Sequence, residues 1–149
     1  MLPSLILEGV GSAISSRRVP KVLLLNGWHD QETSFASHND DGELVVNQMD
    51  ATSIVQAVVD ALNQYENREE DHPITDYVTH LCYPHGTEIS IDEQLLADDG
   101  LRLKEIESIP ANSCSEGSRS GGQSHHRVFD PRALVDELLC LAASREEIS

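Results

Sequence analysis

Long apolar runs are missing from this chain. None approaches the roughly 18 residues of a membrane-spanning helix, so a membrane partner is not expected. Basic residues are scarce as well: 10 Lys and Arg stand against 26 Asp and Glu, a formal net charge of −16. Nucleic-acid binding needs clustered Lys and Arg to neutralise phosphates, so that partner is disfavoured, and the acidic surface serves solubility. Aromatics make up 4% and hydrophobic residues 39% of 149 positions, which points to a modest core with much loop. Cys82, Cys114 and Cys140 are odd in number and share no short spacing. That speaks against a disulfide framework and for free thiols in a reducing compartment. The chain also lacks a nucleophile elbow, a paired CxxC and a glycine-rich phosphate loop behind a strand; "GVGSA" at 9–13 is too short for a dinucleotide fingerprint. The opening "MLPSLILEGVGSAISSRR" has no basic n-region, and Glu8 interrupts its apolar part, so it makes a poor secretory signal. Its Ser residues and Arg17-Arg18 leave an organelle transit peptide as the lesser reading. The expected compartment is the cytoplasm, with an organelle matrix as the alternative.

What is present has the grammar of an α/β sheet. Residues 2–16 read as a loop leading into a short helix near 9–16, broken by the stretch from Arg17 to Pro20. The apolar run 22–25 predicts a strand covered on both faces. Residues 36–49, "ASHNDDGELVVNQM", read as a loop with at most a short strand. Asp50 is placed as an N-cap, and Ile54, Val55, Val58, Leu62 and Tyr65 recur behind it at helical spacing. Residues 77–83 predict a second strand, closed by Pro84-His85-Gly86. A short helix over 92–96 stops at Gly100, and a third strand lies within 101–109. Residues 111–127, dense in Ser and Gly, read as a flexible loop. Asp130-Pro131 then opens a last helix whose buried stripe is Leu134, Val135, Leu138, Leu141 and Ala142. Residues 145–149 are a fraying tail. With three strands visible and helices needed on both faces, the expectation is a Rossmann-like three-layer sheet that forms part of a larger domain.

In open α/β sheets ligands bind beyond the carboxyl ends of the strands. The stretch "KVLLLNGWHDQETSF" therefore places Asn26, Gly27, Asp30, Glu32 and Thr33 where a site is expected. Asn26 offers a donor and an acceptor, Gly27 lets backbone approach a ligand, and Asp30, Glu32 and Thr33 could hold hydroxyls or a hydrated metal. From pattern alone, a solvated loop whose Asp and Thr satisfy turns is the favoured reading. His80 and Cys82 share a strand face that suits zinc, but no second ligand pair has zinc-like spacing. A partly buried thiol and incidental histidines are the preferred account there. His125-His126 read as exposed loop residues, and Cys140 as a small apolar filler.

Several of these stretches together resemble the carboxyl-terminal part of the CofD-like family, which holds 2-phospho-L-lactate transferases and YvcK-type gluconeogenesis factors. "LPSLILEGVGSAI" is similar to the family segment behind its Gly-Pro-Gly-Ser turn. "PKVLLLNGWHDQETS" resembles a family strand and loop at Asn26, Gly27, Asp30, Glu32, Thr33 and Ser34. "VVDALNQ", "YVTHLCYP" and "VFDPRALVDELLCL" follow in the family's order. The resemblance implies a partial CofD-like α/β domain over 1–144, with an insertion at 36–49. In complete relatives it implies transfer of a phospholactyl group from a guanosine diphosphate conjugate to a deazaflavin precursor. The alternative is non-catalytic binding of a nucleotide sugar or phosphometabolite. Asn26, Gly27, Asp30, Glu32 and Thr33 would then position a phosphorylated small molecule. No general base is assigned, Mg²⁺ enters only with a complete relative, and a homo-oligomer is left open. Two departures stand out: Phe35 follows Ser34 where the family places Gly, and the family's amino-terminal glycine-rich nucleotide loop and Gly-Pro-Gly-Ser turn have no counterpart here.

Overall fold

A short parallel sheet organises the chain, and a computed structural model describes residues 8–31, 33–64, 71–111 and 126–144 of it. In chain order the elements are α1 Val10–Ser15, β1 Val22–Leu24, β2 Ser34–His38, β3 Leu44–Gln48, α2 Ala51–Asn63, α3 Ile74–Tyr77, β4 His80–Pro84, α4 Glu93–Asp98, β5 Arg102–Ile106, β6 Ser108–Pro110, β7 Arg127–Phe129 and α5 Pro131–Ala143. The sheet runs β1-β4-β5, all parallel, while β2-β3 and β6-β7 are separate two-stranded antiparallel ribbons. This is a mixed α/β fold. No helix among the described residues is long and apolar enough to cross a membrane.

β4 is the middle strand and all five of its residues are buried. Successive strand residues point to opposite faces, so the register sorts the sheet into rows. Leu23, Leu81 and Leu103 form one row, packed with Val55, Val59 and Leu62 of α2 in the main core. Burial of a Leu or Val side chain contributes about 1.5–3 kcal/mol, so this layer holds the fold together. On the other face lie the rows Val22–His80–Arg102 and Leu24–Cys82–Lys104. There Lys104 Nζ meets Glu137 of α5 at 3.0 Å, and Leu138, Leu141 and Ala142 approach Val22 and Pro20.

The helices start where their caps dictate. Asp50 accepts from the Ser53 amide at 2.7 Å, Asp92 from Leu95 at 3.0 Å, and Asp130 from Arg132 at 2.9 Å and Ala133 at 3.1 Å. Each bond satisfies amides that the first turn leaves without partners. α4 stops at Gly100, whose φ of 88° no L side chain adopts readily.

Other expectations need correction. Residues 36–49 are not a loop but most of a β-hairpin, closed by Asn39 and Gly42. The second strand starts at His80 because 74–77 close a helical turn behind Pro73. The expected third strand is two: the chain leaves the sheet after Ile106, and β6 pairs with β7 instead. Arg127, expected in the flexible loop, opens β7; residues 112–125 lie outside the described residues, as do Tyr65 and the expected tail 145–149. In α5 the expected buried stripe is buried at Leu141 alone: Leu134 and Leu138 are half-buried, Ala142 is exposed, Val135 is 53% exposed, and Leu139 beside them is 63% exposed. Three strands offer a helix of this length too little surface to cover its whole apolar side.

Candidate functional site

Three loops meet at the carboxyl edge of the parallel sheet. The first leaves β1. Leu25 continues the ladder by donating its amide to the Cys82 carbonyl at 2.9 Å, after which the chain turns away from the sheet. Within the turn Asp30 and Thr33 clasp each other. The Asp30 amide donates to Thr33 Oγ1 at 2.9 Å, and the Thr33 amide donates to Asp30 Oδ1 at 3.0 Å. Asn26 Nδ2 donates to Asp30 Oδ2 at 3.0 Å. The Met49 amide reaches the Thr33 carbonyl at 2.9 Å, so this clasp is also the root of the β2–β3 hairpin. Asn26, Asp30 and Thr33 are thus brought together, chiefly through one another. Glu32 lies outside the described residues.

Gly27 has a different reason to be glycine from the one its sequence position suggested. A Cβ there would collide with the backbone carbonyl of Arg127. The space on that side is taken by β7, not held open for a ligand. The Gly27 carbonyl in turn accepts from Glu88 at 2.9 Å, which ties the first loop to the second.

The second loop, after β4, carries His85, Gly86, Thr87 and Glu88. Thr87 Oγ1 donates to the Asn26 carbonyl at 3.3 Å, and His85 Nδ1 lies 3.0 Å from Glu105. The third group comes from β6 and β7. Ser108 Oγ donates to the His85 carbonyl at 2.6 Å. Arg127 Nε donates to Ser108 Oγ at 2.9 Å and Nη2 to the Ser108 carbonyl at 3.0 Å. The Arg127 stem passes beside Gly86, close enough that a Cβ there would lie 3.9 Å from its Cγ. His126 stacks on Trp28 with ring centres 5.1 Å apart and planes tilted by 37°. Its Nδ1 sits 3.5 Å from Glu88 Oε1, an ion-pair distance too long for a good hydrogen bond.

Electrostatically, Arg127 stands apart. In a chain of net charge −16, no carboxylate among the described residues lies within ion-pair distance of its guanidinium. Its fork still has N–H groups beyond the two that Ser108 occupies. Such a group, held rigid by its neighbours, can take a carboxylate or phosphate through two parallel hydrogen bonds. Glu105 and Glu88 face the imidazoles of His85 and His126 instead.

A cation ligand set is not assembled here. Among the described residues no group of three or more His, Cys, Asp or Glu side chains gathers to hold a metal ion. Asp30 has both carboxylate oxygens engaged by Thr33 and Asn26. The described residues therefore do not fit the Mg²⁺ that the CofD-like resemblance allows.

The strand-borne pair His80 and Cys82 faces α5 and is buried, at 5% and 0% exposure. Burial, seconded by Arg102 and Lys104, lowers the His80 pKa. Burial, seconded by Glu137, pushes the Cys82 thiol up to about 11. Both groups are thus neutral at physiological pH, as befits an interior.

The sequence pointed to the loop after the first strand and missed Trp28, Ser108, His126 and Arg127. The signal that was available is the rule already in use: the same carboxyl-edge reasoning, applied to Pro84-His85-Gly86-Thr87, marks the second wall. Arg127 had none, because its role depends on β7 folding back over Gly27 and Gly86. Comparison of the chain with family models, with curated proteins and with solved structures gave no match.

Proposed function

We propose that the carboxyl edge of the sheet binds a small phosphorylated ligand, in a Rossmann-like three-layer domain of CofD-like type. The observation that carries this reading is Arg127, a positioned guanidinium with no carboxylate partner among the described residues, at the place where α/β sheets bind ligands. The three-layer arrangement is supported by α2 packing on the Leu81 row while α5 approaches Val22 on the other face. The family assignment rests on the motif resemblance around Asn26, Gly27, Asp30 and Thr33. For this chain the geometry favours binding over phospholactyl transfer. Transfer calls for several cations or amides around the developing charge, and Arg127 is the single Lys or Arg among the described residues of these loops.

Isothermal titration with guanosine diphosphate, 2-phospholactate and phosphate-free guanosine tests the proposal. The phosphorylated compounds bind and guanosine does not. Arg127→Ala leaves the backbone carbonyl against Gly27 in place, and weakens binding roughly tenfold to a hundredfold, the value of a hydrogen bond to a charged group. Equal affinity in wild type and Arg127→Ala, or no phosphorylated ligand at all, rejects it.

A further inference from the structure

Two surfaces outside the Arg127 site have complementary deficits. The β2–β3 hairpin stands on the Asp30–Thr33 clasp and, among the described residues, pairs with no other strand. Leu44 is 66% exposed, Val46 64% and Phe35 54%, and Leu44 and Val46 share one face of the ribbon. Its turn carries Asp40, Asp41 and Glu43, none with a cation within ion-pair distance among the described residues. An isolated two-stranded ribbon is marginally stable in water, and apolar faces with free edges invite a partner strand.

The second surface is the outer edge of the sheet. Among the described residues β1 pairs with β4 on one side only. Beside it Val19, Pro20, Val22, Leu138, Leu141 and Ala142 line an open apolar groove of about 280 Å³. Arg17 and Arg18 immediately precede the groove residue Val19 in the chain. Arg17 and Arg18 are exposed and have no carboxylate in reach among the described residues.

We propose that the hairpin of one copy docks on the β1 edge and groove of a second copy. The order of residues sets the register. Acid then apolar, Asp41–Glu43 then Leu44 and Val46, matches base then apolar, Arg17–Arg18 then Val19, Pro20 and Val22. β3 therefore runs parallel to β1 and extends a sheet that is already parallel. Leu44 and Val46 enter the groove, and the acidic turn meets the arginines. Each copy owns one arm and one groove, so reciprocal exchange about a two-fold axis closes the assembly as a dimer. Charge pairing at the rim fixes the register, and burial of Leu44 and Val46 supplies affinity.

Sedimentation velocity of the full chain over a concentration series is the test. Wild type forms a dimer whose dissociation constant rises with salt. Leu44→Asp with Val46→Asp, or Arg17→Glu with Arg18→Glu, raises that constant by roughly tenfold or more. These positions are exposed, so far-UV circular dichroism stays that of wild type. Asp40→Arg and Asp41→Arg added to the arginine-reversed variant restore the dimer. A wild type that is monomeric throughout overturns the proposal. So does a dimer indifferent to the Leu44 and Val46 substitutions, or a charge-swapped variant that stays monomeric.

Discussion

Gly27 owes its identity to a neighbour far along the chain. Sequence alone read it as room for a ligand beside a strand end; the room belongs to the Arg127 carbonyl. In Gly27→Ala the added methyl meets backbone on both sides of the contact, so neither partner can yield by rotating a side chain. β7 must lift or the first loop must move. The expected cost is about 1–3 kcal/mol, read as a lower urea midpoint with an unchanged slope. A variant as stable as wild type means that β7 is not seated against Gly27 in solution. The same residues show where sequence reading stops. Asn26, Asp30 and Thr33 were legible as a group because their spacing is local, and they do meet. Arg127 and His126 were not legible, because a Ser- and Gly-rich stretch announces nothing about where its last residues will return. Their contacts with Gly86, Ser108 and Trp28 exist only once the sheet is formed.

At the scale of elements, helices were the readable part. Asp50 and Asp130 announced both long helices to within a residue, because capping and helical periodicity are local physics. The hairpin was the element that sequence could not supply. Its strands bury little, so the alternation that marks a half-buried strand is weak, and the acidic turn looks like any solvated loop. What holds it is the clasp beneath it. Asp30 accepts from both the Thr33 amide and its hydroxyl, at 3.0 and 3.1 Å. Asp30→Ala leaves the Thr33 amide without that partner, a loss of about 1–3 kcal/mol when a donor goes unsatisfied. Since β2 and β3 pair with no other sheet among the described residues, the loss falls on the ribbon. Hydrogen exchange read by mass spectrometry shows faster exchange over 34–48 and unchanged protection over 80–84. Uniform acceleration in both segments would falsify the clasp as a local device.

For the whole molecule, the ionisable groups held inside set a window of stability. His80 is buried and its pKa falls below the usual 6.5. Below pH 6.5 the unfolded chain therefore binds a proton that the native state resists, and stability declines as pH falls through the folded value. Asp50 adds to this limb at lower pH. Its hydrogen bonds from Ser53 hold it below 3.8, so its contribution is present above that pH and vanishes once the native carboxylate is protonated. The alkaline limb has the opposite sign. Burial raises the Cys82 thiol from 9.0 to about 11. Burial and the Glu93 hydrogen bond raise the Tyr83 hydroxyl from 10.0 to about 12. Above pH 9 the unfolded chain sheds protons that the native state keeps, so stability drops as pH climbs toward 11 and beyond. Self-repulsion of a chain already at −16 acts in the same direction. Urea midpoints measured across pH should form a plateau from about pH 7 to 9 with a fall on each side. Cys82→Ala separates local from global causes: it removes the thiol's share of the alkaline fall and leaves the acid limb untouched, whereas general repulsion would leave the alkaline slope as it was. An alkaline limb identical in both proteins would place Cys82 in contact with water, contrary to its complete burial beneath α5.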